Sequence, residues 1–290
     1  MSLSKAFSSG RCVLSFELFP PKTDAGMADL MKSVEELNLH RPDFFTCTYG
    51  AGGSTRDRTL TITAQIRSQL QVPVASHLTC VGSTQEQLRE YLRAAEERGV
   101  DYIVALRGDP PQGETSFTAV DGGLGYANEL VKLIRTEFPR FGILVAGYPE
   151  VHQEARDAQF DMENLVRKVD AGSDVIVTQL FYDNDDFFRF RDACEAAGIR
   201  VPIVPGLLPV LSLKQVQRIA NLCKAKLPPE FVAKLEKSDD VDAQFAAGVE
   251  HALEQTQGLI DAGVPGIHFY VLNKSTATNQ ILSGVTGLNR

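Results

Sequence analysis

The sequence predicts a (β/α)₈ barrel, and two observations carry that prediction. Short apolar runs, such as those before Glu17, Thr48 and His77, repeatedly stop on a polar or charged residue, and segments of helical periodicity separate them. Buried parallel strands are almost continuously apolar, and their carboxyl ends build the active site of an α/β barrel. The pattern therefore predicts strand–helix units whose functional side chains meet at one rim.

Eight runs fit this pattern, and each is followed by a helical pattern. We predict strands at 12–17, 43–48, 74–79, 101–107, 142–148, 174–180, 201–205 and 266–271. A doubly wound open sheet is the alternative, but it would concentrate polar residues at a switch point, whereas here they end nearly every strand. We expect a single domain over residues 1–290, since no linker, repeat or low-complexity tract interrupts the chain.

Helix signals lie between the predicted strands. Residues Ser83 to Glu86 have the spacing of a capping box, and Asp183 to Asp186 predict a helix N-terminus. Apolar stripes at helical spacing comprise Leu88, Tyr91, Leu92 and Ala95, then Leu130, Leu133, Ile134 and Phe138, then Met162, Leu165, Val166 and Val169. The longest irregular stretch, 226–242, is interpreted as solvated surface.

Charge and composition exclude several classes of partner. Net charge is −8, from 29 basic and 37 acidic residues, without a basic cluster, so nucleic acid and anionic membranes are poor partners. No signal peptide or stretch of about 20 apolar residues is present. Five scattered cysteines without a CxxC motif are typical of a reducing compartment. We expect a cytoplasmic protein.

Glu17 is the first candidate for acid–base chemistry. It ends the first predicted strand among the apolar neighbours Phe16, Leu18 and Phe19. Desolvation by these neighbours is expected to raise the pKa of its carboxyl group towards neutrality, as a general acid requires. The alternative is a glutamate that pairs with a structural arginine.

Arg107, Gly108 and Asp109 end the fourth predicted strand. They place a cation and an anion two residues apart, with a glycine between them that permits close backbone approach to a ligand. A plain salt-bridged turn is the alternative. The glycine-rich stretch 50–53 matches neither GxGxxG nor GxxxxGK[ST], so two interpretations stay open, a phosphate-binding loop and a flexible loop that admits a flat ligand.

Asp161, Asn164 and Lys168 share one face of a predicted helix. A solvated face is the usual meaning of such a set, but their groups also suit ribose hydroxyls and phosphate oxygens. Tyr148 and His152 lie just upstream, at the end of the fifth strand. The set therefore has two interpretations, a solvent-exposed face and the edge of a ligand site.

Two barrel chemistries are disfavoured by the sequence. A Schiff-base lyase needs a lysine near a strand end, and only Lys274, beyond the eighth strand, is available. The five histidines form no HxH or HExxH pattern, so we expect no metal site. The rim offers hydrogen bonds and acids but no evident nucleophile, which indicates that a cofactor carries the chemistry.

Nine segments in order resemble the methylenetetrahydrofolate reductase family of bacterial type over essentially the whole chain. They are Ser15–Lys22, Thr48–Ser54, His77–Cys80, Leu106–Asp109, Tyr148–His152, Lys168–Gly172, Thr178–Gln179, Pro205–Val210 and His268–Tyr270. The resemblance implies a (β/α)₈ enzyme that binds FAD non-covalently. It implies that the enzyme reduces 5,10-methylenetetrahydrofolate to 5-methyltetrahydrofolate with NADH or NADPH, by a ping-pong mechanism.

The resemblance also implies a role for individual residues. Glu17 matches the general acid, and Asp109 matches a carboxylate between flavin and pterin. Folate contacts are expected at Gln179, Gln215, Ile219 and Lys274. FAD contacts are expected at Thr48, His77, Arg107, Gly108, Asp109, Tyr148, His152, Asp161, Asn164 and Lys168.

Three departures from the family pattern qualify these roles. Ile219 replaces a phenylalanine, Lys274 replaces an arginine, and Gln215 has the capping-box spacing after Ser212 and is alternatively a helix cap. The resemblance implies a homo-oligomer, a dimer or tetramer, without the regulatory domain of eukaryotic members. Two other functions stay open: a cofactor-free lyase on the same barrel, and a non-catalytic carrier of flavin or folate.

Overall fold

The structure is a computed structural model that describes residues 3–49, 56–109 and 117–288. Eight parallel strands form a closed barrel in chain order. The strands are β1 (Val13–Leu18), β2 (Phe44–Cys47), β3 (Val74–Thr79), β4 (Tyr102–Leu106), β5 (Gly142–Gly147), β6 (Val175–Leu180), β7 (Ile203–Leu207) and β8 (Gly266–Tyr270). The predicted (β/α)₈ barrel is confirmed.

Helices surround the barrel and follow the strands in alternation. They are α1 (Leu3–Phe7), α2 (Asp24–Asn38), α3 (Arg56–Leu70), α4 (Gln85–Glu97), α5 (Ala127–Glu137), α6 (Ala158–Asp170), α7 (Asn184–Ala196), α8 (Leu213–Cys223), α9 (Pro229–Leu235), α10 (Val241–Asp261) and α11 (Thr276–Gly284). Within the described residues, no helix combines the length and the apolar content that crossing a membrane requires.

The amino-terminal half of the barrel interior is apolar. Val13, Tyr102 and Leu144 belong to one buried cluster there, and α1 covers it with Leu3 and Ala6. Outside the barrel, Phe16 packs against Phe45 with ring centroids 5.7 Å apart, between the strands and the helices. The floor of the barrel is therefore filled by buried side chains, which leaves the carboxyl ends of the strands as the open end.

Two local predictions differ from the structure. The capping box lies one residue later than predicted, because Thr84 caps α4 and exchanges hydrogen bonds with Gln87, while Ser83 is buried. The stretch 226–242 is not only solvated surface, because it contains α9, whose Phe231 and Leu235 are buried. Pro229 at the first turn of α9 explains how a proline pair begins a helix there.

Strand β7 extends beyond the predicted end at Pro205. Gly206 and Leu207 continue the parallel pairing with His268 and Phe269 of β8. Gly206 also donates its backbone N–H to the Thr178 hydroxyl at 2.9 Å. A proline in the middle of the strand therefore did not end it.

We expect Gly206→Ala to destabilise the barrel by about 1–3 kcal/mol, the usual cost of overpacking. A Cβ at this position would lie 2.2 Å from the Thr178 carbonyl oxygen, which the strand pairing holds in place. Urea unfolding followed by circular dichroism measures the change. Gly125→Ala is the control, because its Cβ would meet only a Glu129 carboxylate oxygen at 3.7 Å. Equal stability of the two variants would contradict the prediction.

Candidate active site

An open cavity of about 590 Å³ lies at the carboxyl ends of the strands. Every strand, or the residue directly after it, contributes to its lining, and α8 closes one side. The predicted site residues that line this first cavity are Glu17, Thr48, His77, Arg107, Gly108, Asp109, Tyr148, His152, Gln179 and Ile219. Most of the residues predicted from strand ends therefore meet at one cavity.

The wall of the first cavity has a polar and an apolar side. Strands β8, β1, β2 and β3 contribute Tyr270, His268, Glu17, Thr46, Thr48, His77 and Thr79. Strands β4, β5 and β6 contribute mainly Val104, Leu106, Leu144, Ala146 and Val177. A flat ligand in this cavity would meet hydrophobic side chains on one side and hydrogen-bonding groups on the other.

Glu17 lies between two histidines. Its Oε2 atom is 3.2 Å from Nε2 of His77 and 3.7 Å from Nε2 of His268. Nδ1 of His268 is 2.8 Å from the hydroxyl of Ser15. A proton on Nε2 of His268 therefore faces Glu17 and leaves Nδ1 to accept a hydrogen bond from Ser15.

The predicted rise of the Glu17 pKa is wrong for this arrangement. Burial does raise the pKa of the carboxyl group, but the charge and the hydrogen bonds of His77 and His268 outweigh burial and lower the pKa to about 2. Nor does an arginine pair with Glu17, as the alternative interpretation required; its ion-pair partners in the described residues are the two imidazoles. Any proton that Glu17 delivers has to come from its neighbours or its ligand.

His268 and Ser15 were not predicted as site residues. They pair directly across β8 and β1, and Tyr270 pairs with Glu17 two residues further on. Polar residues at positions i and i+2 of a strand point to the same face, so this spacing in two otherwise apolar strands was the available signal. Because Ser15 and His268 lie far apart in the sequence, their contact could not be predicted from a local pattern.

Arg107 does not form the predicted alternative, a salt-bridged turn with Asp109. Its guanidinium donates to the Glu154 carboxylate at 2.7 Å and lies over the ring of Phe117. Gly108 has a φ of +91°, and a Cβ there would lie 2.7 Å from Val81. Glycine is therefore required at this position, and the turn leaves Asp109 exposed at the rim of the first cavity.

A second cavity of about 280 Å³ lies beside the first, after β4 and β5. The two cavities share Arg107, Tyr148 and His152 in their linings. Asp161, Asn164 and Lys168 of α6 complete the second lining, so this helix face is the edge of a cavity and not simply a solvated surface.

Contacts around the second cavity hold its loop in place. The Asp161 carboxylate accepts a hydrogen bond from the backbone N–H of His152 at 3.0 Å. The rings of Tyr148 and His152 meet edge to face, with centroids 4.6 Å apart. Burial, and the nearby charge of Arg107, lower the pKa of His152. These contacts fix the segment between β5 and α6 at the edge of the second cavity.

Lys168 is the least solvated cation of this region. Its ammonium donates to the Ala146 carbonyl oxygen at 2.5 Å and lies 5.9 Å from the centre of the Tyr148 ring. Burial lowers the pKa of Lys168 to about 8, against an opposing contribution from Asp161. A lysine held this way is suited to an anionic ligand, which would restore the interactions lost with water.

The four residues expected at the folate differ in position. Gln179 and Ile219 line the first cavity. Gln179 lies where the pairing of β6 with β7 is irregular, between Val177 and Leu180. Gln215 is not part of that lining; its side chain accepts a hydrogen bond from the backbone of Leu211 at 2.8 Å, a helix-capping role. Lys274 is also outside the lining and exposed. Their predicted folate contacts have no support from this geometry.

Some predicted features fall outside the described residues. The glycine-rich stretch at 50–53 lies in a part of the chain that the structure does not describe, as do residues 110–116 that follow Asp109. Within residues 3–49, 56–109 and 117–288, no three histidine, cysteine or acidic side chains are grouped as metal ligands.

Similar proteins were found by sequence and by structure. The chain is 39% identical over 276 residues to the 5,10-methylenetetrahydrofolate reductase of Escherichia coli, covering 95% of this chain and 91% of that protein. It is 40% identical over 284 residues to methylenetetrahydrofolate reductase (NADH) 1 of Arabidopsis thaliana. There it covers 94% of this chain but 48% of the relative, so the chain spans about half the length of that plant protein.

The structural comparison shows the fold alone. A solved structure of an uncharacterised Clostridium thermocellum protein that binds two copies of 5-methyl-5,6,7,8-tetrahydrofolic acid matches with a TM-score of 0.63 at 15% identity. The match covers 98% of this chain and 97% of that one. The methylenetetrahydrofolate reductase family model matches residues 2–286, and the chain belongs to that family.

Proposed function

We propose that the protein reduces 5,10-methylenetetrahydrofolate to 5-methyltetrahydrofolate with a pyridine nucleotide, through bound FAD and by a ping-pong mechanism. The observation that carries the proposal is the joining of two cavities at one rim: one contains a carboxylate between two imidazoles, and the other contains half-buried cations. Family membership and the names of the relatives support the same reaction.

The residues of the second cavity fit the dinucleotide part of FAD. Arg107 and Lys168 supply cations for a pyrophosphate, and no ion pair joins Lys168 to a carboxylate within the described residues. Asp161 and Asn164 offer side-chain oxygens at the same edge, which suits ribose hydroxyls. When bound, FAD would supply the group that takes hydride from the nucleotide and passes it to the folate.

In this proposal the protein handles the proton and the position of the ligands. Glu17 Oε2 delivers a proton to a ring nitrogen of the folate and so opens its five-membered ring. His77 and His268 lie beside the same oxygen and hold a proton for it. The carboxylate of Asp109, at the rim, binds the pterin edge, and Gln179 offers an amide to the same ligand.

We propose NADH as the hydride donor, because the relatives from three plants are named for NADH. The homo-oligomeric state stays a prediction from the family resemblance, and the cytoplasmic location stays a prediction from the sequence. Light scattering during gel filtration and imaging of a tagged chain would measure them.

Purified protein is expected to be yellow. Its visible flavin absorbance should disappear on anaerobic addition of NADH and return on addition of methylenetetrahydrofolate, because each substrate would react in turn with one bound flavin. Absorbance spectroscopy measures both steps, with NADPH as the comparison donor. Protein that stays colourless after incubation with FAD would refute the proposal.

The two other functions predict different results. A cofactor-free lyase would form a borohydride-trapped adduct with its substrate, and Lys274 is exposed outside the first cavity, which does not favour it. A carrier would bind flavin or folate tightly without turnover. In a carrier, a carboxylate between two imidazoles would have no chemical task.

A further inference from the structure

Helix α8 and the turn after it carry a basic strip beside the first cavity. The strip comprises Lys214, Arg218, Lys224 and Lys226, and the sequence contains no acidic residue between 211 and 229. The chain as a whole has a net charge of −8, so this local excess of positive charge opposes the overall balance. The backbone N–H of Lys226 donates to the Glu150 carboxylate at 2.8 Å.

Arg218 is the member of the strip that reaches the first cavity. It lines the rim together with Ile219, Leu222 and Cys223. Its side chain is exposed, and within the described residues it makes no hydrogen bond or ion pair. The other rim cations differ: Arg107 is paired with Glu154, and Lys168 donates to a backbone carbonyl.

The position of Arg218 separates it from the second cavity. Helix α8 follows β7, whereas the second cavity lies after β4 and β5 and is lined from α6. A ligand group at Arg218 is therefore not the group that Lys168 holds. The helix dipole favours a cation at a helix C-terminus, which would account for Lys224. Arg218 lies inside α8, so the dipole does not explain the presence of Arg218.

Apolar side chains accompany the free guanidinium. Leu222 is 66% exposed at the edge of the first cavity, and Ile219 lies one residue from Arg218. This edge therefore offers apolar contact and positive charge side by side. Such a pairing fits a ligand whose aromatic part leaves the cavity and ends in carboxylates.

We propose that the basic strip of α8 binds the glutamyl carboxylates of the folate, with Arg218 nearest the cavity and the lysines towards solvent. This proposal rests on the proposed function and adds a site for the tail of its substrate. A glutamyl chain carries one carboxylate per unit along an open surface, which matches cations that continue past the end of α8. A nucleotide pyrophosphate is compact and would need its cations in one place.

Steady-state kinetics with mono- and triglutamyl methylenetetrahydrofolate, and with NADH, tests the proposal. We expect Arg218→Ala to raise KM for the triglutamate about tenfold, since tenfold corresponds to about 1.4 kcal/mol. The KM for the monoglutamate should rise less, and the rate of flavin reduction by NADH should change less than twofold. The double variant Lys224→Ala, Lys226→Ala should reduce only the difference in KM between the triglutamate and the monoglutamate.

Lys32→Ala is the matched control, because it removes one exposed positive charge from α2, away from both cavities. Equal effects of Lys32→Ala and Arg218→Ala would assign the change to long-range charge and overturn the proposal. A larger effect on NADH than on folate would also overturn it, since the site would then bind the nucleotide. Arg218→Lys, which keeps the charge, should retain most of the triglutamate affinity.

Different results would refute the proposed function and the proposed site for the glutamyl tail. If the wild-type protein does not reduce methylenetetrahydrofolate at all, the proposed function fails. If the wild type turns over but Arg218→Ala leaves the ratio of the two folate KM values unchanged, only the tail site fails. Thermal unfolding and flavin content of each variant separate a binding effect from misfolding.

Discussion

Glu17→Gln is expected to slow reduction of methylenetetrahydrofolate about a thousandfold, in the middle of the range for loss of a general acid. Glutamine keeps the size of the side chain but cannot transfer the proton that opens the folate ring. The reaction of NADH with the flavin needs no such proton from Glu17, so its rate should stay nearly unchanged. Anaerobic stopped-flow absorbance of the flavin measures the two half-reactions separately.

A matched control accompanies this variant. Glu35→Gln removes an exposed carboxylate from α2, outside both cavities, and should leave both half-reactions unchanged. If Glu17→Gln slowed both half-reactions by the same factor, Glu17 would be needed for flavin binding or folding and not for proton transfer. His268→Gln tests the source of the proton, since it should slow only the folate step.

Lys168→Met is expected to stabilise the cofactor-free protein by about 2 kcal/mol and to weaken FAD binding at least about tenfold. The gain arises because burial makes the charged ammonium unfavourable in the folded state, as its lowered pKa of about 8 indicates. The loss arises because methionine removes the charged hydrogen-bond donor that the Lys168 ammonium would offer to a phosphate. Urea unfolding and flavin fluorescence titration measure the two effects.

The stability change should depend on pH with a defined sign. The pKa of Lys168 is about 8 in the folded protein and ordinarily 10.5, so its charge opposes folding at every pH below about 8. That opposition fades as pH rises from about 8 to 10.5, and the stability advantage of Lys168→Met should shrink across the same interval. Lys132→Met, at an exposed position of α5, is the control for the loss of one positive charge. A constant advantage across this interval would contradict the assignment.

The barrel was predictable because each strand is a local pattern. An apolar run that ends on Glu17, His77 or Arg107 predicts both a strand and the polar residue at its carboxyl end from a few neighbouring positions. Asp161, Asn164 and Lys168 were ambiguous in the sequence, because helical spacing places them on one face without saying what that face meets. In the closed barrel this helix face lines the second cavity, which answers the question that the spacing left open.

Contacts between distant strands could not be predicted from local patterns. The pKa of Glu17 depends on His268, which the chain brings close only when β8 pairs with β1. Burial was foreseeable from the neighbouring phenylalanines, but the imidazoles that reverse its effect were not. The capping hydrogen bond of Gln215 and the exposure of Lys274 likewise depend on positions that spacing does not determine.

The sealed floor of the barrel has a consequence for the timing of catalysis. Below Ser15 and His268 the interior is filled by buried, mainly apolar side chains of α1 and of the first residues of the strands. Water therefore has no route to Glu17 from beneath. Protons must reach Glu17 through the mouth, which a bound folate covers. Under the proposed mechanism, the protons available to Glu17 and its two neighbouring imidazoles are therefore replaced only between visits of the folate.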